Sequence, residues 1–282
     1  MTAAAGTRLA GVMGWPVAHS RSPALHGFWL AAYGIDGAYV RLAVRPENLT
    51  RALKALPLLG FAGCNLTLPH KEAALAAVDE IDPAARAVGA VNTVIVRADG
   101  SLEGRNTDGY GFLENLRAGA PQWRAAAGPA VILGAGGAAR AITAALIAAG
   151  VPEIRLVNRT PARAAALAKA LKGNLRGFSW EDRGKALAGA ALLVNATSLG
   201  MVGQPALDLS LEALPLTAIV NDIVYAPLET PLLAAARRRG HPAVDGLGML
   251  LHQARPGFAA WFGQEPEVTP ALRQAVLESL AT

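Results

Sequence analysis

The sequence predicts an α/β fold of two domains, because strand-length apolar stretches alternate with helical patterns over most of its 282 residues. A glycine-rich stretch at residues 134–138, between a strand pattern and an alanine-rich helical pattern, is the second indication. The third is composition, since 52% of the residues are hydrophobic and 17% are charged, which is enough to form a sizeable core. We therefore expect mostly parallel sheets covered by helices.

The first hundred residues predict three strands, each followed by a helix, and then a hairpin. Pro23 suits the first position of a helix, with Ser22 as its N-cap, and Pro46 suits the start of the next helix. Ala98-Asp99-Gly100 lies between two apolar stretches and predicts a β-hairpin. This alternation is typical of a mostly parallel α/β/α domain. The expected strands are residues 9–14, 38–44, 60–66, 91–96 and 102–104, and the helices begin near residues 23, 46 and 67.

A second series of strands and helices begins at Ala130. A helical segment to about residue 118 precedes it, and the Pro- and Gly-containing stretch at residues 119–129 is the strongest boundary signal in the composition. Helical patterns at residues 246–262 and 269–280 have no strand after them, and we expect these helices to pack back on the first domain. The expected strands are residues 130–133, 154–157, 191–194 and 219–220, with helices at 137–149 and 160–171.

The glycine-rich stretch fits the G-x-G-x-x-G/A pattern of a dinucleotide-binding turn. Gly134 allows the tight turn between strand and helix, Gly136 lets the backbone approach a pyrophosphate, and Ala139 permits close packing of helix on strand. The pyrophosphate would lie on the free N–H groups at the N-terminus of the helix. The pattern therefore predicts a nucleotide site at this turn.

The next strand indicates which dinucleotide binds. An NAD site usually places Asp or Glu at the end of this strand, whereas arginine accommodates the 2′-phosphate of NADP. Here the strand ends in Asn158-Arg159-Thr160, and Arg163 lies in the following helical turn. Two cations at the positive end of a helix oppose its dipole unless an anion binds between them. The residues favour NADP over NAD, with solvated arginines as the alternative.

Polar residues of the first domain follow the expected strands, at the edge where open α/β sheets bind ligands. Lys71 lies in a first helical turn, and a lysine can take up the proton of an alcohol during hydride transfer only if its pKa falls. The helix N-terminus disfavours its ammonium form and a nearby Asp108 would favour it, while a solvent-exposed lysine is the alternative. The other polar residues of this group are Ser20, Ser22, Asn65, Thr67 and Asn92.

Charge, cysteine content and hydropathy argue against several other classes of protein. The net charge of +5 comes from scattered arginines without a basic stripe, so we expect no nucleic-acid partner. The single cysteine, Cys64, rules out an internal disulfide and is compatible with a reducing cytoplasm. No leader pattern is found before Arg8, and no apolar stretch reaches membrane-spanning length. We expect a cytoplasmic protein with no membrane association and no metal site.

Short blocks in order from about residue 11 to 253 resemble the shikimate dehydrogenase family, and together they are very specific. Leu66, where the family usually has valine, and Cys64 depart from the family pattern without removing a polar group. The blocks are Ser20-Arg21-Ser22-Pro23, Asn65-Leu66-Thr67-Leu68-Pro69-His70-Lys71, Gly89-Ala90-Val91-Asn92-Thr93, Asn106-Thr107-Asp108-Gly109, Gly134-Ala135-Gly136-Gly137-Ala138, Asn158-Arg159-Thr160 with Arg163, Asn195-Ala196-Thr197-Ser198, Asp222-Ile223-Val224-Tyr225, and Asp245-Gly246-Leu247-Gly248-Met249-Leu250 with Gln253.

The resemblance implies a two-domain enzyme that reduces 3-dehydroshikimate to shikimate with NADPH, a step towards chorismate and the aromatic amino acids. On this basis we expect a substrate domain at residues 1–106 plus 247–282 and a Rossmann-type NADP-binding domain at residues 107–246. The expected partner is the small-molecule substrate, and the expected state is a monomer or a homodimer.

The resemblance also implies roles for individual residues. Lys71 and Asp108 would form the pair at the reacting carbon, with Lys71 as the acid/base. The substrate would contact Ser20 and Ser22 through its carboxylate, Asn65, Thr67, Asn92 and Gln253 through its ring hydroxyls, and Tyr225 at its edge. The cofactor would contact Gly134, Ala135, Gly136, Gly137 and Ala138 through its pyrophosphate, Asn158, Arg159, Thr160 and Arg163 through its 2′-phosphate, and Ile223 and Gly246 through its nicotinamide.

Two alternatives stay open at this point. One is a quinate/shikimate dehydrogenase that uses NAD, and Arg159 and Arg163 argue against its cofactor. The other is a non-catalytic NADP-binding module, in which loss of the acid/base pair is expected. Lys71 and Asp108 are both present in this sequence.

Overall fold

The computed structural model describes residues 6–281, and in it the chain forms two compact units. Residues 1–107 with 253–282 make up unit 1, and residues 108–252 make up unit 2. Each unit contains one six-stranded sheet. The expected strands are confirmed to within two residues at each end.

The strands and helices of the described residues are numbered here in chain order. The strands are β1 (Arg8–Gly14), β2 (Gly37–Ala43), β3 (Phe61–Leu66), β4 (Glu80–Ile81), β5 (Thr93–Val96), β6 (Leu102–Arg105), β7 (Ala130–Leu133), β8 (Ile154–Val157), β9 (Leu175–Phe178), β10 (Leu192–Asn195), β11 (Ile219–Asp222) and β12 (Ala243–Val244). The helices are α1 (Ser22–Ala32), α2 (Leu49–Ala55), α3 (His70–Ala73), α4 (Pro83–Val88), α5 (Asp108–Gly119), α6 (Gly137–Ala148), α7 (Pro161–Ala170), α8 (Arg183–Ala186), α9 (Pro231–Arg238), α10 (Leu247–Phe262) and α11 (Pro270–Ala281).

The sheet of unit 1 is mostly parallel, as expected, with three parallel pairings and two antiparallel ones. Its strand order is β2-β1-β3-β5-β6-β4, and β1 pairs in parallel with both β2 and β3. The predicted hairpin is confirmed as β5 and β6, and it places β5 antiparallel to β3 as well. The direction changes because a tight hairpin reverses the chain, whereas a parallel neighbour needs a crossover connection.

Two helix starts in unit 1 differ from the expectation. Ser22 is the first residue of α1 rather than its N-cap, and the cap position belongs to Arg21, which makes no side-chain capping bond. Instead, the backbone N–H of Ser22 lies 3.4 Å from the hydroxyl of Ser20. The helix expected near residue 67 is the four-residue α3, because the turn at residues 67–69 comes first.

Aromatic side chains from both ends of unit 1 pack together in its core. The ring of His26 in α1 stacks on that of Tyr39 in β2, with 3.9 Å between the ring centroids. Trp29 contacts Phe258 of α10 edge-on, with 5.2 Å between the ring centroids. Trp261 is 2% exposed, and its indole N–H donates to the carbonyl of Val94 at 3.0 Å. The C-terminal helices therefore pack back on the first strands and helix, as predicted.

Unit 2 is a doubly wound sheet. Its strand order is β12-β11-β10-β7-β8-β9 and every pairing is parallel, which is the arrangement of a Rossmann-type domain. The chain reverses its winding direction between β7 and β10, where such sheets bind ligands. The sequence analysis does not predict β9, because Arg176 and Gly177 interrupt its apolar pattern; among the described residues β9 is an edge strand that pairs with β8 alone.

The stretch at residues 119–129 is not the boundary between the units, so that expectation was wrong. The helix before it, α5, belongs to unit 2 and buries Phe112 and Leu116 in the core that also holds Ile142 of α6. Gly109 permits this packing, since a Cβ at that position would lie 2.9 Å from the carbonyl oxygen of Ala141. In the part of the chain that the structure describes, no helix has the length and apolar character needed to cross a membrane.

Burial of His26 predicts an acid-dependent loss of stability. Burial lowers the pKa of His26 to about 3, and an interaction with Asn65 offsets this only in part. An unfolded histidine titrates near about 6.5, so between these values the unfolded state binds one proton more than the folded state. The contribution of neutral His26 to the free energy of unfolding is therefore fully present above the unfolded pKa. It is lost as the pH falls below that value, by about 1.4 kcal/mol per pH unit.

We expect His26→Phe, which keeps an aromatic ring in the stack, to be less sensitive to acid than the wild type. The difference in the free energy of unfolding between His26→Phe and the wild type should change by about 2 kcal/mol between roughly pH 6.5 and 5. Urea unfolding of both proteins at several pH values measures this difference. Equal acid sensitivity of the two proteins would contradict a neutral His26.

Candidate active site

The loops that follow β1 and β3 meet at the carboxyl edge of the sheet in unit 1. The backbone N–H of Trp15 donates to Leu68 at 3.0 Å, and that of Thr67 donates to Met13 at 3.0 Å. Gly14 is required here, because a Cβ at that position would overlap the methyl group of Thr67. The contact brings the segment that carries Ser20 and Ser22 to the segment that carries Asn65 and Thr67.

The two serines lie side by side at the start of α1. Both are half-buried, and the backbone carbonyl of Ser20 accepts a hydrogen bond from the guanidinium of Arg41 at 2.9 Å. Arg41 lies in β2, so this bond ties the loop after β1 to the neighbouring strand. Two adjacent hydroxyl groups at such an edge can donate hydrogen bonds to one anionic group.

Asn65 and Asn92 are joined by hydrogen bonds across β3 and β5. The side-chain nitrogen of Asn65 lies 3.2 Å from the carbonyl oxygen of Asn92 and 3.2 Å from the hydroxyl of Thr93. The carboxamide oxygen of Asn65 accepts from the hydroxyl of Tyr39 at 2.6 Å. Sequence patterns did not single out Tyr39 or Thr93, because aromatic and β-branched residues are ordinary in strands.

A second set of hydrogen bonds connects Asn92 to the segment before α5. The backbone N–H of Thr107 donates to the carboxamide oxygen of Asn92 at 2.9 Å, and the side-chain nitrogen of Asn92 donates to the Thr107 hydroxyl at 3.1 Å. Asp108 follows Thr107 directly, is 5% exposed and is the first residue of α5. Asn92 therefore determines where the chain is held immediately before Asp108.

Lys71 is positioned by its own backbone and by its neighbour. Its carbonyl accepts from the N–H of Val91 at 2.8 Å, which connects α3 to the residue before Asn92. His70 is 1% exposed, and its Nε2 lies 2.8 Å from the carbonyl oxygen of Val44. The side chain of Lys71 is half-buried.

The remaining predicted substrate residues lie further along the chain. Gln253 is a half-buried residue of α10 in unit 1, and Tyr225 is a half-buried residue of unit 2 in the segment after β11. Ser20, Ser22, Asn65, Thr67, Lys71 and Asn92 thus belong to one edge of unit 1, whereas Asp108 and Tyr225 belong to unit 2.

In unit 2 the glycine turn lies where the sheet reverses direction. Gly134 has φ +109°, and a Cβ there would lie 2.9 Å from the carbonyl oxygen of Ala196, in the loop after β10. Gly136 is the N-cap of α6 and makes no side-chain capping bond. A Cβ on Gly136 or Gly137 would meet no protein atom within 4 Å. The turn therefore presents open space and the unbonded N–H groups of a helix N-terminus, which fit a pyrophosphate.

The end of β8 carries the predicted arginines. Arg159 and Arg163 are exposed, and among residues 6–281 neither guanidinium has a hydrogen bond or an ion pair with a protein group. Thr160 is the N-cap of α7, and the side-chain nitrogen of Asn158 donates to its carbonyl at 2.9 Å. Two unneutralised cations at the positive end of α7 fit an anionic ligand group.

A buried carboxylate orders the segment after β11. Asp222 accepts hydrogen bonds from the hydroxyl of Thr230 at 2.7 Å and the side chain of Asn195 at 2.9 Å. Burial raises the pKa of Asp222, and these bonds offset the rise in part. Gly246 packs on the carbonyl of Ile223, where a Cβ would overlap it. Ile223 and Gly246, the two residues predicted to contact the nicotinamide, therefore lie next to each other.

Fold and site together define a two-domain α/β protein with a dinucleotide-binding turn and a polar strand edge. The family model described as shikimate dehydrogenase substrate binding domain matches residues 12–94, and that described as shikimate / quinate 5-dehydrogenase matches residues 122–201. The chain belongs to the shikimate dehydrogenase family. Among the described residues, no three His, Cys, Asp or Glu side chains form a group that could hold a metal ion.

Individual relatives are similar over nearly the whole chain. Shikimate dehydrogenase (NADP(+)) of Paramagnetospirillum magneticum is 64% identical over 270 residues, covering 96% of this chain and 98% of the relative. The shikimate dehydrogenase (NADP(+)) of Rhodospirillum rubrum is 64% identical over 274 residues, covering 96% of this chain and 97% of the relative. Among solved structures, shikimate 5-dehydrogenase of Thermus thermophilus in complex with NADP(H) and shikimate has a TM-score of 0.84 at 43% identity, covering 97% of this chain and 99% of that chain.

The two glycines of the turn should respond differently to alanine. We expect Gly134→Ala to destabilise the protein by about 1–3 kcal/mol, because it combines a positive φ with a close approach to Ala196. Gly136→Ala should change the free energy of unfolding by less than about 0.5 kcal/mol, since its φ is ordinary and its surroundings are open. Urea unfolding of both variants measures this, and equal losses of stability would contradict the difference.

Proposed function

We propose that this protein catalyses the reversible, NADPH-dependent reduction of 3-dehydroshikimate to shikimate. The observation that carries the proposal is 64% identity to two shikimate dehydrogenases (NADP(+)) over nearly the whole chain. The protein is then an oxidoreductase acting on a secondary alcohol. Its reaction is a step towards chorismate and the aromatic amino acids.

The substrate is assigned to the strand edge of unit 1. The adjacent hydroxyls of Ser20 and Ser22 hold its carboxylate, a role supported by their neighbouring positions at the start of α1. Asn65, Thr67, Asn92 and Gln253 hold its ring hydroxyls, and Tyr225 contacts its edge. Asn65 and Asn92 suit this role because each is held in place by other hydrogen bonds, so little rotational freedom is lost on binding.

Lys71 and Asp108 are assigned to the acid/base step. NADPH, when bound, supplies the hydride that the ketone carbon receives. Lys71 donates the proton that the ketone oxygen takes up, and in the reverse direction it accepts the proton of the hydroxyl. The carboxylate of Asp108 is paired with Lys71 in this scheme and orients its ammonium group.

NADP is assigned to unit 2. Residues 134–138 hold the pyrophosphate at the N-terminus of α6, where the open space around Gly136 supports the fit. Arg159 and Arg163, with Asn158 and Thr160, hold the 2′-phosphate. Ile223 and Gly246 lie against the nicotinamide.

We assign the substrate role to residues 1–106 plus 247–282 and the cofactor role to residues 107–246, with the protein acting as a monomer or a homodimer in the cytoplasm. No nucleic-acid partner is assigned, because the net charge of +5 comes from scattered arginines without a basic stripe.

A quinate dehydrogenase activity with NAD is the second candidate. It is favoured by the quinate dehydrogenase of Corynebacterium glutamicum in complex with NAD, whose structure has a TM-score of 0.89 at 34% identity over 96% of this chain and 99% of that chain. The two exposed arginines after β8 favour NADP instead.

A spectrophotometric assay of shikimate and quinate, each with NADP and with NAD, separates the two candidates. We expect the highest kcat/KM for shikimate with NADP. A preference for quinate, or for NAD, would contradict the corresponding part of the proposal.

Lys71→Ala is expected to lower kcat by about 10²–10⁴, the factor usual for a general acid or base. Binding of NADPH, followed by the fluorescence of its reduced nicotinamide, should persist. Unchanged turnover would exclude Lys71 as the acid/base.

Arg159→Ala should raise KM for NADP by about tenfold or more, because a hydrogen-bonded charge pair is worth about 1.5–3 kcal/mol. KM for NAD, which lacks the 2′-phosphate, should change by less than about twofold. Arg176→Ala, which removes an exposed arginine of β9, is a matched control and should leave both values unchanged. Equal effects of Arg159→Ala on both cofactors would contradict the assignment.

A further inference from the structure

A buried tyrosine outside the predicted site connects two of the proposed substrate residues. Tyr39 lies in β2 and is 8% exposed. Its hydroxyl is 2.6 Å from the carboxamide oxygen of Asn65, and the side chain of Ser22 interacts with the same hydroxyl. Tyr39 thus lies between the residue assigned to the substrate carboxylate and a residue assigned to its ring hydroxyls.

The direction in which the Asn65 amide points follows from a backbone carbonyl. The side-chain nitrogen of Asn65 is 3.2 Å from the carbonyl oxygen of Asn92, which can only accept a hydrogen bond. A rotated amide would place two oxygens against each other there. Oδ1 of Asn65 therefore faces Tyr39, and the phenol must be the donor in their hydrogen bond.

Both N–H groups of the Asn65 side chain are used within the protein. One points to the carbonyl of Asn92 and the other to the hydroxyl of Thr93, each at 3.2 Å. A primary amide has two N–H groups, whereas its oxygen has a second lone pair. Because Asn65 is only half-buried, a ligand can reach it, and it can bond to Asn65 only by donating to Oδ1.

The ring of Tyr39 packs against two other aromatic rings. The ring of His26 stacks on it, with 3.9 Å between the ring centroids and 7° between the ring planes. The ring of Trp261 is tilted by 43°, and its centroid lies 6.0 Å from that of Tyr39. Burial raises the pKa of Tyr39 above its ordinary value, so the hydroxyl keeps its proton near neutral pH. The donor that Asn65 requires is therefore constantly present.

We propose that Tyr39 is a positioning residue that, together with the carbonyl of Asn92, holds the Asn65 amide so that its oxygen is the one group Asn65 offers to a substrate. At Asn65 the site accepts a hydrogen bond from a free ring hydroxyl, and it disfavours a ketone, an ether or a carboxylate in that place. The inference rests on the proposed function, since it concerns which substrate groups that site selects.

Tyr39→Phe tests the proposal, because it keeps the ring stack and removes only the hydroxyl. We expect KM for shikimate to rise about five- to tenfold, the effect of one hydrogen bond, with kcat and KM for NADP changed by less than about twofold. Tyr33→Phe is the matched control, since it removes a hydroxyl that accepts a hydrogen bond from the backbone N–H of Glu267 in the same unit at 3.0 Å. It should leave all three constants unchanged.

A double-mutant cycle with the substrate distinguishes positioning from a general structural role. Two analogues of shikimate, each lacking one of the non-reacting ring hydroxyls, are assayed with both proteins. We expect one analogue to lose about tenfold in kcat/KM with the wild type but only about twofold with Tyr39→Phe. Thr93→Val, which frees one N–H of Asn65, should reduce the same penalty and serves as a second variant if Tyr39→Phe does not fold.

Each outcome supports or overturns the inference. An unchanged KM in Tyr39→Phe overturns it, as does a raised KM with the same penalties for both analogues as in the wild type. If the wild type oxidises shikimate but Tyr39→Phe gives either of these two results, the inference is refuted and the proposed function is not. A wild type that does not turn over shikimate refutes the proposed function and this inference with it.

Discussion

The hydrogen bonds of two asparagine amides are the constraint on which the strand edge of unit 1 depends. Asn65 lies in β3 and Asn92 lies just before β5, and together they connect Tyr39 of β2 to Thr107 before α5. A buried amide that loses a partner costs about 1–3 kcal/mol, so each member of this set holds the others in place. The consequence is a strand edge whose polar groups are already oriented in the protein alone, which suits the substrate site proposed there.

Unit 2 positions its loops with close backbone packing and with one buried carboxylate. The close approach of Gly134 to Ala196 brings together the loops after β7 and β10, and α6 begins three residues after Gly134. The buried carboxylate of Asp222 holds the segment after β11 through Asn195 and Thr230. The cofactor is assigned to groups that are positioned by main chain and by one buried acid, which suits a ligand made largely of phosphates and ribose.

Much of this arrangement could be predicted from the sequence where the signal is local. The turn at Gly134, the arginine at 159 and the β-hairpin at 98–100 each follow from a few neighbouring residues. Local signals failed where tertiary packing decides. Ser22 has the residue type of an N-cap, but it is the first residue of α1, and its own N–H lies 3.4 Å from the hydroxyl of Ser20. The stretch at 119–129 has the composition of a linker, but α5 before it packs on α6 within unit 2.

The sequence by itself determined the α/β class, the dinucleotide turn and the set of polar residues at the strand ends, because strand periodicity and glycine turns are encoded over short distances. Only the tertiary structure decided that Tyr39, Thr93 and Thr107 belong to the same hydrogen-bonded set as Asn65 and Asn92. These residues come from β2, β5 and the segment after β6, and their contacts exist only once the sheet pairs those strands. A pairing between distant segments leaves no pattern in any one of them.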